Sequence, residues 1–118
     1  KAPGKQNESS GEATRMTLES LYNMLKKTGY PVAYRFFAER QEPPYLCYLV
    51  AYTNNQGADN AVWHRINHIQ IELYTRKKDA AAEQNVENVL TEAGLFFNAE
   101  ETYIDTEKIY QRIYEIEV

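Results

Sequence analysis

The chain has 118 residues, which is enough for one domain that buries a modest core without disulfides or a bound metal. Its 17 acidic and 13 basic side chains give a net charge of −4, and a single cysteine excludes an internal disulfide framework. No apolar run approaches the ~20 residues of a membrane-spanning helix and no signal peptide is visible, which predicts a soluble protein that is intracellular where it is made.

The charges are unevenly distributed along the chain. Residues 16–90 carry eight acidic and eight basic side chains, whereas residues 91–118 carry seven acidic side chains against Lys108 and Arg112. Affinity for nucleic acid comes mainly from Lys and Arg at phosphates, so an acidic C-terminal third argues against nucleic-acid binding. The one basic cluster, residues 76–78, is short and indicates a solvated turn.

Residues 1–15 (KAPGKQNESSGEATR) contain no aromatic or large aliphatic side chain. Such a segment buries too little apolar surface to offset its loss of conformational entropy, so we expect it to be disordered. It is either an added leader or a native flexible extension, and the leader is favoured because Met16 provides a natural start. We expect one folded α+β domain over residues 16–118.

The first predicted elements are a helix and a short strand. Thr17 is a suitable N-cap, apolar residues follow the spacing of one helical face from Leu18 to Leu25, and Gly29 provides a left-handed exit. Pro31 prevents the helix from continuing. Residues 32–37 (VAYRFF) then predict a strand that ends in a polar loop.

Residues 45–53 (YLCYLVAYT) predict a central strand, because the segment is apolar on both faces and would be covered on both sides. Cys47 lies within it. We expect a small buried side chain there rather than a reactive thiol, because Cys47 has no basic neighbour in the sequence. The polar residues 54–60 (NNQGADN) include a glycine and predict a mobile hairpin loop to the next strand.

The strand predicted over residues 61–75 changes the parity of its apolar side chains between Ile66 and Ile69. A straight strand of this length would span roughly 50 Å, whereas a domain of this size has a radius of gyration of about 13 Å. A β-bulge near Asn67 and His68 would restore the alternation and bend the strand. We therefore predict that the C-terminal half lies in the core and that the N-terminal half leans outward as an arm.

A second helix is predicted from its N-cap at Asp79 to Gly94, with an apolar stripe along one side. Residues 97–104 and 109–118 then predict two strands joined by the turn DTEK. The order α-β-β-β-α-β-β predicts an α+β fold in which an antiparallel β-sheet has two helices packed on one face.

No active site or metal site is predicted. His64, His68 and Glu72 are spaced four residues apart, but on a strand such positions are about 13 Å apart and cannot share a metal ion. The acidic pairs 100–101 and 115/117 are typical of solvated faces rather than of an acid–base pair. There is no glycine-rich phosphate loop and no nucleophile motif, so we predict neither a cofactor nor an enzyme.

Ten tyrosines indicate a surface role for part of the chain, since seven of them lie on predicted strands and a sheet with two helices has a limited interior. Good β-propensity explains some of them, but tyrosine is also enriched at protein–protein interfaces. Together with the arm, this favours a self-assembling module. The predicted assembly residues are Asn54, Asn55, Gln56, Gly57, Ala58, Asp59, Asn60, Trp63, Tyr110 and Tyr114.

The chain from Met16 to Val118 resembles the small head-to-tail joining and tail-completion proteins of long-tailed bacteriophages. The resemblance lies in the opening MTLESLYNMLKKTGYPVAY, the strand-to-helix passage INHIQIELYTRKKD and the ending ETYIDTEKIYQRIYEIEV. These motifs consist of core and turn residues and carry no catalytic signature. The resemblance does not extend to residues 1–15.

This resemblance implies a structural protein of the virion that is monomeric when free and forms a hexameric ring on assembly. Its partners would be further copies of itself, the capsid connector and the tail tube, and DNA would pass through without specific binding. Related tail terminators have a similar fold and cap the tube, so both positions stay open. The protein would be in the host cytoplasm during assembly and in the virion afterwards.

A second hypothesis is a small-ligand-binding regulatory domain of a bacterial cytoplasmic protein, with a comparable layer of helices on a sheet. It predicts a pocket lined by convergent polar groups. The sequence offers no glycine-rich loop for such a pocket, so the structural virion protein is preferred.

Overall fold

The computed structural model describes residues 16–57 and 63–118. The expected leader, residues 1–15, lies outside the described residues. The elements are α1 (Leu18–Lys26), β1 (Val32–Tyr34), β2 (Tyr45–Gly57), β3 (Trp63–Thr75), α2 (Ala80–Glu92), β4 (Asn98–Ile104) and β5 (Ile109–Glu117). The predicted α+β class and the order of elements are confirmed. Within the described part of the chain, no helix is long and apolar enough to cross a membrane.

Both helices start and stop where their sequences predict. The Thr17 hydroxyl accepts a hydrogen bond from the Ser20 N–H at 3.0 Å, and an Asp79 carboxylate oxygen accepts one from the Ala82 N–H at 3.0 Å. Gly29 and Gly94 follow the helices with φ of +87° and +77°, which favours glycine.

The five strands form one sheet in the order β1-β2-β3-β5-β4. All neighbours are antiparallel except β1 and β2, which are parallel, so the sheet is mixed where the sequence predicted antiparallel pairing throughout. The reason is the path of residues 35–44. A parallel pair requires the chain to return to the end at which the first strand began, and this segment provides the return.

A tight turn at Arg35 ends β1 after three residues, although the sequence predicted a strand over residues 32–37. The Phe36 N–H donates to the Tyr34 carbonyl at 2.7 Å, which closes a three-residue γ-turn around Arg35. Arg35 has φ of +68°, a sterically strained conformation for a residue with a side chain.

The core lies between one face of the sheet and both helices, as predicted. Register places Leu46, Leu73 and Arg112 on this helix-covered face at one level, and Tyr48, Ile71 and Tyr114 at the next. The largest fully buried side chains are Tyr114, Leu21, Leu25, Leu46, Ile69, Ile71, Leu73, Leu90 and Val86. The apolar patterns of the helices and strands predict eight almost fully buried residues, and all but Leu49 are buried: Leu21, Leu25, Leu49, Ile71, Leu73, Val86, Val89 and Leu90.

Leu49 is the exception, because it lies on the opposite face of β2 and is only half-buried. That face, which we call the open face, is covered at one end, where the Phe37 ring packs edge to face against Tyr45 at 5.4 Å. The expectation that β2 is covered on both sides along its length is therefore wrong.

The β-bulge lies on β2 and not on β3 as predicted. Val50 pairs with Ile69 and Tyr52 pairs with His68, so Ala51 is the extra residue. On β3 itself there is no extra residue, because Ile69 and His68 pair consecutively with Val50 and Tyr52 on one side and with Ile116 and Glu117 on the other.

The change of parity in the sequence of β3 has another cause. Ile66 is half-buried on the same face as His68, opposite to Ile69, at a level where β5 no longer pairs with β3. An apolar side chain there is not required to face the helices.

The β2 bulge leaves a backbone group to be satisfied. The Val50 N–H beside the bulge donates to the Tyr34 hydroxyl at 3.0 Å, because β1 is too short to pair with this residue.

The contact between α2 and β5 centres on the hydroxyl of Tyr114. This hydroxyl donates to a Glu87 carboxylate oxygen at 2.9 Å and accepts from the Arg112 Nε–H at 3.1 Å. The Arg112 guanidinium also pairs with Glu87 at 3.3 Å. Burial and the Glu87 carboxylate raise the pKa of Tyr114, although Arg112 opposes the shift. The phenol therefore remains a neutral donor that links the helix to the sheet.

Truncation of Leu73 or Leu90 to Ala should cost about 2–5 kcal/mol of unfolding free energy, through lost burial and a residual cavity. Leu49→Ala is the matched control, since the same atoms are removed from a half-buried site, and its cost should be clearly smaller. Urea unfolding of the three variants measures the difference. A loss well below 1 kcal/mol for Leu90→Ala would contradict the assigned helix–sheet contact.

Tyr114→Phe should lower the unfolding free energy by about 1–2 kcal/mol, because it leaves the half-buried Glu87 and Arg112 side chains without their shared partner. Tyr103→Phe is the control, since that ring is exposed and should change stability little. Thermal and urea unfolding would measure both variants. Equal stability of Tyr114→Phe and the parent chain would show that the hydroxyl does not stabilise this contact.

Candidate assembly surfaces

The β2–β3 hairpin extends beyond the rest of the sheet. β1 pairs with β2 only from Leu46 to Tyr48, and β5 pairs with β3 from Thr75 to His68. Residues 52–57 and 63–68 therefore form a two-stranded ribbon, whose strands beyond the base pair only with each other among the described residues. This agrees with the predicted outward arm, although the bulge that begins it is on the other strand.

Side-chain contacts concentrate at the base of the ribbon. The Tyr52 ring stacks on the His68 ring, with centroids 4.0 Å apart and planes 11° apart. His68 Nε2 lies 2.8 Å from Asn54 Oδ1, and its Nδ1 lies 3.7 Å from a Glu117 carboxylate oxygen. The base is thus tied to the last strand of the domain, whereas Asn54 and Asn55 further out are exposed.

The ribbon includes part of the segment that was predicted as a loop. Residues 54–57 lie on β2 and pair with residues 63–66, so the prediction of a loop over residues 54–60 is wrong for its first four residues. Polar residues can form a β-ladder where neither face is required to be apolar. Gln56, Gly57 and Trp63 have strand backbone, and Ala58, Asp59 and Asn60 lie outside the described residues.

The two tyrosines predicted as assembly residues differ in exposure. Tyr114 is 0% exposed within its own domain, so the prediction that it contacts a partner is wrong. Its parity on β5 directs it into the core, where its ring packs edge to face on Phe97 at 5.4 Å. Tyr110 is half-buried against Tyr103, and its assembly role stays a prediction.

Sequence reasoning missed the exposed phenylalanines. Phe96 is 95% exposed and Phe36 is 69% exposed. Phe96 follows the exit of α2 as part of the doublet Phe96-Phe97. Consecutive residues in extended backbone point in opposite directions, and Phe97 packs against the core residue Tyr114. The doublet at an entry to a strand was therefore the signal that one ring would face solvent.

The open face carries a buried carboxylate. Glu72 is 7% exposed and accepts hydrogen bonds from the Gln70 amide at 2.7 Å and from the Tyr74 hydroxyl at 2.8 Å. The Gln111 amide donates in turn to the Tyr74 hydroxyl at 2.8 Å. A buried carboxylate with two donors is stable as part of the sheet.

Cys47 lies opposite Glu72 in the β2–β3 register and is buried. Burial, together with the negative charge of Glu72, raises the pKa of the Cys47 thiol to about 11. At neutral pH the side chain is therefore protonated and a poor nucleophile. The prediction of a small buried side chain is confirmed.

The described residues, 16–57 and 63–118, include no group of three or more His, Cys, Asp or Glu side chains that could hold a metal ion. One open groove of about 600 Å³ lies between residues 35–43 and the β4–β5 turn, where Arg35, Arg40 and Lys108 line it. Another of its basic residues, Arg76, pairs with Glu42 at 2.8 Å, with both side chains largely exposed. Exposed charged side chains of this kind are typical of a solvated surface.

No protein-family model matches the chain, and no curated protein matches it. Among solved structures, the chain is similar in fold to one chain of the virion of a native gene transfer agent particle, with a TM-score of 0.60. That alignment covers 93% of this chain and 98% of the other, at 12% sequence identity.

Proposed function

We propose that the chain is a structural virion protein that assembles as a ring at the head–tail interface or tail end of a long-tailed phage or phage-like particle. In this role it joins or completes the tail and catalyses no reaction. The observation that carries the proposal is the fold similarity to a chain of a gene transfer agent virion over nearly the full length of both. The resemblance of the sequence to tail-completion proteins supports it independently.

The described surface suits a protein built from contacts. One face of the sheet is covered by the two helices. The exposed aromatic rings of the described residues lie at the edges of the sheet and at the base of the ribbon. Exposed aromatic side chains are typical anchors of protein–protein contacts. The proposed partners are further copies of the chain in a hexameric ring, the connector and the tail tube.

The charge of the C-terminal strands supports passage of DNA without binding. Glu100, Asp105 and Glu107 are exposed around β4 and the turn that follows it, and Glu115 and Glu117 are exposed on β5. Like charge lowers affinity for phosphates, so a ring with such surfaces near its channel would let DNA slide.

We infer that the ribbon contributes to assembly by contacting a neighbouring copy. The base of the ribbon is held by the Tyr52–His68 stack. Beyond the base, its two strands pair only with each other in the described part of the chain. A projecting segment of this kind gains contacts when a neighbour orders it.

The proposed location is tested with particles. In a phage or prophage that encodes the chain, deletion of its gene should leave separate heads and tails, and the wild-type gene should restore joined particles visible by electron microscopy. Mass spectrometry of purified particles should detect the chain. Normal yields of joined particles without the gene would reject the proposed function.

The ribbon is tested by shortening it. Asn67 exchanges both of its backbone hydrogen bonds with Val118, so its backbone groups point away from β2. The backbone groups of the preceding residue, Ile66, therefore point towards β2, which makes Asn54 and Ile66 a hydrogen-bonded pair. A two-residue turn can close such a pair. Replacement of residues 55–65 with Asn-Gly should leave the body nearly as stable, because loop length affects closure entropy only weakly. Complementation of the deletion should then yield fewer joined particles.

Lys77→Ala, which changes an exposed side chain outside the ribbon and keeps the ribbon at full length, is the control for this experiment and should complement normally. Thermal unfolding confirms that the shortened chain is folded. If a folded, shortened chain gives normal numbers of joined particles, the ribbon has no part in assembly.

A further inference from the structure

The two outer edges of the sheet carry most of the large apolar side chains that the domain exposes. We define the β1 edge by Tyr34 and Phe36, with the basic residues Lys26, Lys27 and Arg35 beside them. We define the β4 edge by Phe96 and Tyr103, with the acidic residues Glu100, Asp105 and Glu107 beside them. All ten side chains are exposed.

The β1 edge is basic at the end of α1 and at the strained turn. Lys26 and Lys27 close the helix, and Arg35 follows β1 directly. None of the three forms an ion pair with another residue in the described part of the chain. The strained γ-turn at Arg35 lies at the other end of β1 from the two lysines, and Phe36, 69% exposed, follows it directly. Strain of this kind is retained where a conformation is needed.

The β4 edge has the opposite charge and the same kind of anchor. Six of the seven residues of β4 are exposed, and it is the outermost strand of the sheet. Glu100, Asp105 and Glu107 form no ion pair within residues 16–57 and 63–118. Phe96 leads into the strand and is 95% exposed.

The two edges also match in height and direction. Register across the sheet places Val32 of β1 level with Leu46, Leu73 and Arg112, and so with Glu101 of β4. β1 runs parallel to β2 and to β5, whereas β4 runs opposite to them. If a second copy is placed beside the first in the same orientation, β1 and β4 meet as an antiparallel pair.

We propose that the β1 edge of one copy binds the β4 edge of the next, so that the sheet continues from copy to copy. The occupant of each edge is a second copy of this chain, as indicated by the opposite charges, the shared level and the antiparallel direction. This inference rests on the proposed ring and names its subunit contact. The contact is heterologous, which yields a ring when the rotation between copies closes.

Zero-length crosslinking tests this contact. Only an amide that joins a ¹⁴N peptide to a ¹⁵N peptide counts as evidence, because such a bond cannot have formed within one copy. The purified chain, mixed from ¹⁴N and ¹⁵N preparations at increasing concentration, is treated with a carbodiimide and analysed by mass spectrometry. We expect mixed-isotope peptides that join Lys26 or Lys27 to Glu100, Asp105 or Glu107, and a ladder of oligomers.

Charge reversal makes the test specific. Lys26→Glu with Lys27→Glu, or Glu100→Lys with Glu107→Lys, should reduce the crosslinked oligomers about tenfold or more, because like charges then meet. The quadruple variant reverses the charge of both edges and should restore the crosslinked oligomers. Lys77→Glu, an exposed charge reversal outside the residues that define the two edges, is the control, and circular dichroism confirms that every variant is folded.

Absence of mixed-isotope crosslinks between the two edges at every concentration would overturn the proposed contact. Crosslinked oligomers that survive reversal of one edge, or a quadruple variant that does not restore them, would also overturn it. These results do not depend on particle joining. Loss of joined particles on gene deletion without edge crosslinks would reject this contact and keep the proposed function. Edge crosslinks together with normal joining in the deletion strain would keep this contact and reject the proposed function.

Discussion

The pairing of β2 with β3 is the constraint on which the rest of the structure depends. Both strands have 13 residues, and they are paired from Tyr45 and Tyr74 at one end to Gly57 and Trp63 at the other. The first part of this ladder holds the apolar side chains that the helices cover. At Ala51 the bulge shifts the phase of β2, so that Tyr52 lies over His68 on the open face. The bulge at Ala51 therefore marks the boundary between the part of the hairpin that packs against the helices and the ribbon, which does not.

The sequence predicts those elements whose causes are local. Capping by Thr17 and Asp79, the glycines at 29 and 94, and the apolar spacing of the two helices act within a few residues, and the structure has them where expected. The parallel direction of β1 depends on the route of residues 35–44 across the sheet. No periodicity in the sequence records such a route, because it is set by tertiary contacts.

The site was less predictable than the fold for a related reason. Period-two alternation tells which side chains share a face, but it does not tell which face is covered. The sequence predicts that Tyr114 contacts a partner, but its side chain lies fully in the core. The same reasoning does not predict the exposure of Phe96. The parity change in β3 predicts a bulge on that strand. It reflects instead the level at which β5 no longer pairs with β3, so Ile66 can face away from Ile69.

Free edge strands endanger a soluble sheet protein, because their unpaired backbone groups can pair with any other extended chain. At the β4 edge, Glu100 and Glu101 lie at consecutive positions and point to opposite faces. Their charges disfavour pairing with an acidic strand, and they favour a short strand with basic residues beside it, such as β1, which Arg35 follows directly. Lys78 already holds Glu101 at 2.6 Å, whereas Glu100 has no such ion pair among the described residues. The same charge that protects the edge in the free protein thus selects the β1 edge of another copy, which carries Arg35 and two lysines.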